Sequence, residues 1–465
     1  MLKSASQDKW GLEVVNRIRN SSRSKRLLCI ALAASAIAFW FRFPSFPTNE
    51  TLEFGIAREY TGIAQAIEKT GQYVRPTAGG QYLPELIREP LYPYAIIAAN
   101  KILGGYGRLI PLQQLIAVLT CIIWTLAAWW SLGLGWAIAF AILAFFNPVI
   151  FYYPALAYPF TFNFFFLTLA IFSVALLIFK KQARWSLCAG LFFGLACYER
   201  GSLALLPPAI AITLLLIPVG IPRRFVLLLL LTYGACLSPW LIRNASHQIY
   251  GMSGMSGMTL GYAYGGLVIA ENDQPVLTKA YDPFDLRGTY IEYIRKIGSD
   301  GGTWAFLNDK MAAGVKLPIL NQAISSYVKH AILARPQAAL DVIRANFHYF
   351  PGRIITLRDH HEAAWPFYQN NVCTTEPTAG DYVILIGGLL GLVLMAFNRE
   401  EILLLILPVL LYLVAVNTII TVFDPRYRNG VFDLIFIFSI LYTVRFIFIY
   451  IVSEDWRLAK IKFIG

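Results

Sequence analysis

Residues 422–429 have the sequence VFDPRYRN, and a long apolar run lies on each side of them, at roughly 401–421 and 431–452. Runs of about 20 apolar residues are long enough to cross a hydrocarbon core about 30 Å thick. The stretch between them is therefore predicted to be a turn at the membrane surface. Guanidinium groups bind phosphate in bidentate fashion, so we expect Arg426 and Arg428, with Tyr427 between them, to bind a lipid phosphate.

The composition is that of a membrane protein with several spans. Hydrophobic residues make up 57% of the chain and charged residues 14%, and the mean hydropathy is +0.57. Soluble domains have about 45–50% apolar and about 25% charged residues. We therefore expect an all-α polytopic membrane protein with about 10–13 transmembrane helices. The candidate spans are roughly 26–43, 110–131, 134–153, 159–179, 186–199, 202–220, 225–241, 382–397, 401–421 and 431–452.

Lysine and arginine positions predict the orientation, because cytoplasmic loops carry an excess of these residues. They cluster before the first span, at 180–184, at 223–224, at Arg399 and after residue 452. An alternating count then places both termini in the cytoplasm. It places 44–109, 242–380 and the 424–430 turn outside. We expect a bacterial inner-membrane protein whose net charge of +12 reflects this orientation, and we expect no nucleic-acid partner.

These boundaries predict five parts of the chain. Residues 1–25 are a basic cytoplasmic N-terminus, and 26–241 form the transmembrane core, which includes the external loop 44–109. Residues 242–380 form an external domain, 381–452 the last transmembrane helices, and 453–465 a cytoplasmic tail. The external domain has apolar residues at helical spacing, so we expect a helical or mixed cap there. These residues are Leu320, Ile324, Tyr327, Val328 and Ala331.

The first external loop holds the best candidates for a catalytic base. Residues 52–69 are predicted to form a helix on the membrane surface, and a glycine at 71 would end it. Its apolar residues recur at helical spacing: Ile56, Tyr60, Ile63 and Ile67. Glu53 and Glu59 would lie at the interface, where a carboxylate can take a proton from an acceptor hydroxyl. The alternative for each is a solvated surface carboxylate.

Two further stretches place charged residues beside aromatic ones. The sequence REPLYP (88–93) combines Arg88, Glu89 and Tyr92 just before a short apolar stretch, 94–103. We expect its two prolines to break the helix and the apolar stretch to be a re-entrant or surface helix. Arg88 would either face a phosphate or pair with Glu89. Arg243 follows Trp240 at the end of a span, which fits phosphate binding or an arginine reaching the membrane surface.

Taken in order, these stretches resemble the membrane glycosyltransferases with the C-type fold. They are most similar to the group of dolichyl-phosphate-mannose protein mannosyltransferases and aminoarabinose transferases, over about the whole chain. The stretches that carry the resemblance are EYTGIA (59–64), GQY (71–73), REPLYP (88–93), LQQ (112–114), PWLIRN (239–244) and RYR (426–428).

The resemblance implies a polyprenyl-phosphate-linked sugar donor that enters from the membrane. It also implies a protein, lipid or glycan acceptor from outside, and inverting transfer with a carboxylate as general base. The predicted catalytic residues are Glu59 and Glu53. The predicted substrate-binding residues are Arg88, Glu89, Tyr92, Arg243, Arg426, Tyr427 and Arg428.

Two positions depart from the family pattern. Ile56 stands four residues before Tyr60, where these enzymes usually carry an aspartate, so Glu53 or Glu59 would have to supply the base. Ala157 stands where they often carry a glutamate, which removes a candidate metal or acceptor ligand. No definite cofactor is predicted, and a divalent cation stays open. The adjacent residues His360, His361 and Glu362 are expected to form a solvated loop, because neighbouring side chains point different ways.

Two other functions stay open. A catalytically inactive relative that binds lipid phosphate would explain Ile56. A transporter or flippase for lipid-linked sugars would also hold arginines near the membrane, although such proteins tend to contain internal repeats, and no convincing repeat is found in this sequence. The large external segment and the surface helices favour transfer. The sequence does not determine the sugar or the acceptor.

Overall fold

The computed structural model describes most of the chain. The described residues are 26, 29–30, 32–37, 55–77, 80–145, 147, 150, 154, 157–217, 220–273, 286–349, 379–398, 400, 403–420 and 430–452. Of the residues singled out from the sequence, several lie outside these ranges: Glu53, His360, His361, Glu362, Arg399, Arg426, Tyr427 and Arg428.

Almost all of the described chain is helical, as the sequence predicts. The helices are α1 Gly55–Thr70, α2 Leu91–Leu103, α3 Leu109–Leu132, α4 Leu134–Phe145, α5 Phe160–Lys180, α6 Ala183–Glu199, α7 Leu206–Leu216, α8 Arg223–Ser246, α9 Ser256–Asp273, α10 Ile291–Ala312, α11 Leu317–Ala334, α12 Pro336–Tyr349, α13 Ala379–Phe397, α14 Leu403–Ala415 and α15 Gly430–Val452. Short 3-10 or π turns cover Tyr106–Arg108, Gly201–Leu203, Leu286–Tyr290 and Val416–Ile420.

A small antiparallel hairpin connects α1 to α2. Strand β1 is Val74–Pro76 and strand β2 is Tyr82–Pro84, and the register pairs Arg75 with Leu83. Glu85 follows β2 directly, and its backbone N–H donates to Tyr73 O. The hairpin therefore brings the start of β1 close to the stretch that follows β2.

Four of the described helical segments are long and apolar enough to cross a membrane: Tyr106–Leu132, Phe160–Lys180, Arg223–Ser246 and Gly430–Phe448. Shorter apolar helical segments are Leu134–Phe145, Gly201–Leu216, Tyr382–Phe397 and Leu405–Ala415. Many large apolar side chains on these segments are exposed, including Ile212, Leu231 and Leu411. An apolar exterior of this kind suits contact with lipid.

The long helices alternate in direction between two ends of the bundle. One end, which we call the site end, contains the start of α5 and the last turn of α6, where Asn163 Nδ2 donates to Ala196 O (3.0 Å). The opposite end contains Lys181, which lies next to Gly220 just before α8. From there α8 returns to the site end with Trp240 and Arg243. The order agrees with the alternation expected from the sequence.

Helices α9 to α12 pack around a second hydrophobic core, separate from that of the apolar bundle. The residues predicted to lie on the inner face of a helix here are all buried: Leu320, Ile324, Tyr327, Val328 and Ala331. Leu86 and Ile87, which follow β2, belong to the same core. Gly254 N donates to Leu86 O (2.6 Å), so the segment before α9 attaches directly to the 44–109 loop, and both were predicted to be external.

Pro93, one of the two prolines predicted to break the helix, lies inside α2, and Pro239 lies inside α8. Helix α2 begins at Leu91 and contains Pro93 in its first turn, because the first N–H groups of a helix need no partner within it. The stretch 94–103 is therefore helical, as expected, but the helix starts earlier. Helix α8 contains Pro239 and continues to Ser246, so Trp240 and Arg243 lie one turn apart on it.

Candidate active site

Helix α1 buries its apolar face against the rest of the protein and leaves the side chain of Glu59 partly exposed. Tyr60, Ile63, Ala64 and Ile67 are buried, and the Tyr60 ring meets the Tyr92 ring of α2 edge to face with centroids 5.1 Å apart. The helix ends at Gly71, whose φ of +72° is the left-handed conformation that glycine adopts easily. Glu59 precedes Tyr60, and its side chain is 26% exposed.

Glu59 is held by two arginines from the first external loop. Arg88 Nε and Nη2 donate to Glu59 Oε2 at 2.9 and 2.7 Å. Arg75 Nη2 lies 3.8 Å from the same oxygen. The three cation contacts converge on Oε2. Charge-assisted hydrogen bonds of this geometry are among the stronger ones in proteins.

Glu85 is a buried carboxylate of the same cluster and fixes the backbone near Arg88. It is fully buried, and its Oε1 accepts the backbone N–H groups of Ile87 (2.6 Å) and Arg88 (2.9 Å). Arg75 Nε lies 3.0 Å from Glu85 Oε2, an ion pair that does not meet hydrogen-bond geometry. The Arg75 guanidinium also lies 5.6 Å from the Trp304 ring of α10. Arg75 therefore links the surface helix, the loop and the external helices.

The structure corrects the predicted pairing of Arg88 with Glu89. Arg88 turns to Glu59, and its guanidinium lies 5.5 Å from the centroid of the Tyr60 ring. Glu89 turns the other way, and its Oε1 accepts the Gly201 N–H at 2.9 Å. Neighbouring side chains in this irregular stretch point to different partners. The two charges of the REPLYP motif therefore serve different contacts.

Burial and neighbouring charges shift the acid–base properties of this cluster. Burial alone would lower the pKa of Arg88, but the charge of Glu59 and its hydrogen bonds raise that pKa above its ordinary value. Arg88 is therefore a permanent cation. Burial raises the pKa of Glu89, while the Gly201 N–H and the charges of Arg88 and Arg200 partly oppose the shift.

Tyr60 and Tyr92 share a buried, negatively charged environment. Burial raises the pKa of Tyr60 well above its ordinary value; Arg88 opposes the shift, and Glu89 and Glu199 add to it. Burial followed by the charge of Glu199 raises the pKa of Tyr92. The Tyr92 hydroxyl donates to Gln113 Oε1 (2.6 Å), and Gln113 Nε2 donates to Pro154 O (3.3 Å). Both tyrosines are therefore neutral.

Arg243 is a further cation that contacts the same loop as Arg75 and Arg88. Its guanidinium lies 4.6 Å from the Trp240 ring and 5.1 Å from the Tyr73 ring, and Nη2 donates to Tyr73 O (3.0 Å). The Tyr73 hydroxyl in turn donates to Arg88 O (3.1 Å) and Glu89 O (3.0 Å). These contacts hold Arg243 against the first external loop, which differs from a side chain that extends to the membrane surface.

The structure brings together Glu59, Arg88, Glu89, Tyr92 and Arg243, which the sequence singled out along three separate stretches. It adds Arg75, Glu85 and Glu199, which sequence reasoning missed. Glu199 ends the apolar helix α6 and is only 3% exposed. A charged residue at the end of an apolar run was the signal that could have drawn attention to it. Within the described residues, no three His, Cys, Asp or Glu side chains form a group that could hold a metal ion.

Among the solved structures that are similar to this chain are two membrane proteins. One is the archaeal oligosaccharyltransferase AglB from Archaeoglobus fulgidus in complex with an inhibitory peptide and a dolichol-phosphate, with 13% identity and a TM-score of 0.49 over 95% of this chain and 54% of that one. The other is ArnT from Cupriavidus metallidurans bound to undecaprenyl phosphate, with 14% identity and a TM-score of 0.37 over 90% of this chain and 77% of that one.

The chain thus spans about half the length of the archaeal enzyme. No family model and no curated protein matches the sequence. The roles of individual residues rest on the contacts within this chain.

Proposed function

We propose that this protein is a membrane glycosyltransferase that moves a sugar from a polyprenyl-phosphate-linked donor to an acceptor on the non-cytoplasmic face. The observation that supports this most is a partly exposed carboxylate, Glu59, oriented by Arg88 and Arg75 at one end of an apolar helix bundle. A donor with a lipid tail and a charged headgroup needs both features side by side. The tail lies along the apolar helices, and the headgroup meets the charged cluster.

In the proposed reaction, an acceptor hydroxyl attacks the anomeric carbon of the donor sugar. A new bond forms between that carbon and the acceptor oxygen, and the bond to the phosphate oxygen breaks. The polyprenyl phosphate leaves with the electron pair, and a carboxylate takes the acceptor proton. Attack opposite the leaving group inverts the anomeric configuration.

We propose Glu59 as that proton acceptor. The hydrogen bonds from Arg88 both end on Oε2, which leaves Oε1 to meet the acceptor. A base held in one orientation by a buried partner transfers a proton efficiently, because its geometry is already set. Glu53, the other predicted base, lies outside the described residues and stays a prediction.

The arginines that were predicted to bind phosphate have different roles in this proposal. Arg88 and Arg243 use two nitrogens each in contacts within the protein. In this proposal they shape the site and contribute positive potential rather than grip the phosphate directly. We propose that Arg426 and Arg428 contact the phosphate directly. Both lie outside the described residues, so their role stays a prediction.

The proposal is tested by the release of free polyprenyl phosphate from a radiolabelled panel of undecaprenyl-phosphate sugars, with purified protein in lipid nanodiscs. We expect release by the wild type and a loss of about 10²-fold or more in Glu59→Gln, the usual contribution of general base catalysis. Glu68→Gln is the matched control, because Glu68 lies on the same helix but contacts Asn100 and Tyr106.

Three other outcomes would change the assignment. Full activity of Glu59→Gln would remove Glu59 as the base. Donor binding without release in the wild type would indicate an inactive lipid-phosphate-binding protein. Failure to bind any donor would contradict the proposed function.

A further inference from the structure

Glu199 is a buried carboxylate whose oxygens both lack a hydrogen-bond partner among the described residues. It is 3% exposed at the end of α6. The N–H two residues later, that of Gly201, donates to Glu89 instead. Glu199 therefore lies beside a backbone donor that another carboxylate already uses.

Leaving such a group unpaired is costly. Burying a polar group without a partner costs on the order of 1–3 kcal/mol, and more if the group is charged. Protonation would remove the charge, but the O–H donor and the carbonyl acceptor would both still lack partners. A ligand that donates hydrogen bonds to the carboxylate would provide the missing partners.

The neighbours of Glu199 indicate what kind of ligand fits. Glu199 lies close enough to Tyr60 and Tyr92 to raise the pKa values of their hydroxyls, and the two rings pack edge to face. Binding sites for small polar molecules typically combine aromatic walls with a few polar groups that fix orientation. A carboxylate accepts hydrogen bonds from several hydroxyl groups at once, as a sugar would offer them.

We propose that Glu199 belongs to the subsite for the transferred sugar and accepts hydrogen bonds from its hydroxyl groups. This assignment rests on the proposed transferase function and adds a residue that determines donor recognition. The Arg88 guanidinium lies 5.5 Å from the centroid of the Tyr60 ring and donates to Glu59, so this proposal puts the sugar close to the proposed base.

The segment 251–254 packs beside the end of α6. A methyl group built on Gly201 would lie 2.6 Å from Met252 Cβ, so Met252 packs directly on the turn after Glu199. Trp240 Nε1 and Asn244 Nδ2 donate to Met252 O at 2.6 and 3.0 Å. These contacts hold the segment against the turn that follows Glu199.

The test compares two ligands that differ only in the sugar. Dissociation constants are measured in nanodiscs for undecaprenyl phosphate and for undecaprenyl-phosphate hexose and pentose. In Glu199→Gln, which keeps the size of the side chain, we expect unchanged affinity for undecaprenyl phosphate. We expect affinity for the preferred sugar-bearing lipid to fall about tenfold or more, since hydrogen bonds to a charged group are lost. Glu68→Gln is expected to match the wild type for all ligands.

Glu199→Asp is a second variant, which keeps the carboxylate but shortens the side chain. We expect it to lower the affinity for the sugar-bearing lipid and not the affinity for undecaprenyl phosphate. Unchanged affinity for the sugar-bearing lipid in Glu199→Gln would overturn the inference. So would an equal loss for both lipids, which indicates a structural role. A wild type that binds neither lipid would contradict the proposed function itself and would remove the donor on which this inference depends.

Discussion

At the scale of the residue, the pairing of Glu59 with Arg88 explains why two oppositely charged side chains are tolerated in a mostly buried place. Each would be costly alone, and together they neutralise one another through two hydrogen bonds. Glu85 fixes the backbone of the same loop through the N–H groups of Ile87 and Arg88. The loop conformation and the ion pair therefore depend on each other.

This dependence predicts that Glu59→Gln and Arg88→Lys destabilise the fold non-additively. Arg88→Lys keeps the charge but loses the planar group that makes two bonds to one oxygen. Each single change is expected to cost about 1.5–3 kcal/mol, the range for hydrogen bonds to charged groups, and the double variant less than the sum. Thermal or denaturant unfolding of the four proteins in detergent measures the coupling. Strictly additive losses would show that the pair contributes nothing of its own.

At the scale of the element, α13 and α15 pack closely through glycines spaced four residues apart. A methyl group on Gly391 would lie 2.0 Å from Ser439 O of α15, whereas one on Gly387 would lie 3.8 Å from Ile440 Cγ1. The Thr443 hydroxyl donates to Gly387 O (2.9 Å). Close backbone approach at small residues is a common way for helices to associate in membranes.

We predict opposite effects for alanine at these two glycines. Gly391→Ala has to push α15 away and is expected to destabilise the protein by about 1–3 kcal/mol, the usual cost of overpacking. Gly387→Ala meets ordinary contact distance and removes a flexible residue from a helix, so it is expected to be neutral or slightly stabilising. Unfolding temperatures of the two variants decide this. Equal destabilisation by both would mean that the close contact at Gly391 is not rigid.

At the scale of the whole molecule, the charged cluster and Lys181 lie at opposite ends of the apolar bundle. Helix α5 has 21 residues, so it is about 30 Å long at 1.5 Å per residue, close to the thickness of a hydrocarbon core. Its first turn lies at the site end, and Lys180 ends it. With the predicted orientation, the site faces the non-cytoplasmic side.

Cysteine labelling tests this orientation. In a parent protein whose six native cysteines are replaced, Gln81→Cys in the exposed hairpin loop is expected to react with an impermeant maleimide added to intact cells. Lys181→Cys is expected to react only after permeabilisation. The reverse pattern would place the site in the cytoplasm and contradict transfer on the outer face.

Much of the architecture follows from local sequence. The apolar runs specify the membrane helices, and helical periodicity specifies which face of α1 and of α11 is buried, because both depend on residues within one or two turns of each other. Glu59 and Arg88, which the sequence singled out in separate stretches, are in contact, while their role in a site stays a prediction. Their chemistry is visible in the sequence because charged and aromatic residues interrupt otherwise apolar surroundings.

The tertiary structure alone decided which charges meet. Glu59 and Arg88 are 29 positions apart, and Glu89 and Gly201 are 112 apart, so no local pattern predicts either contact. Likewise, the lack of a hydrogen-bond partner for Glu199 among the described residues is visible only in the packed structure. The sequence by itself determined a helical membrane protein. The packing of distant segments decided the partners within that site, because hydrogen bonds and ion pairs act over a few ångströms in space whatever the separation along the chain.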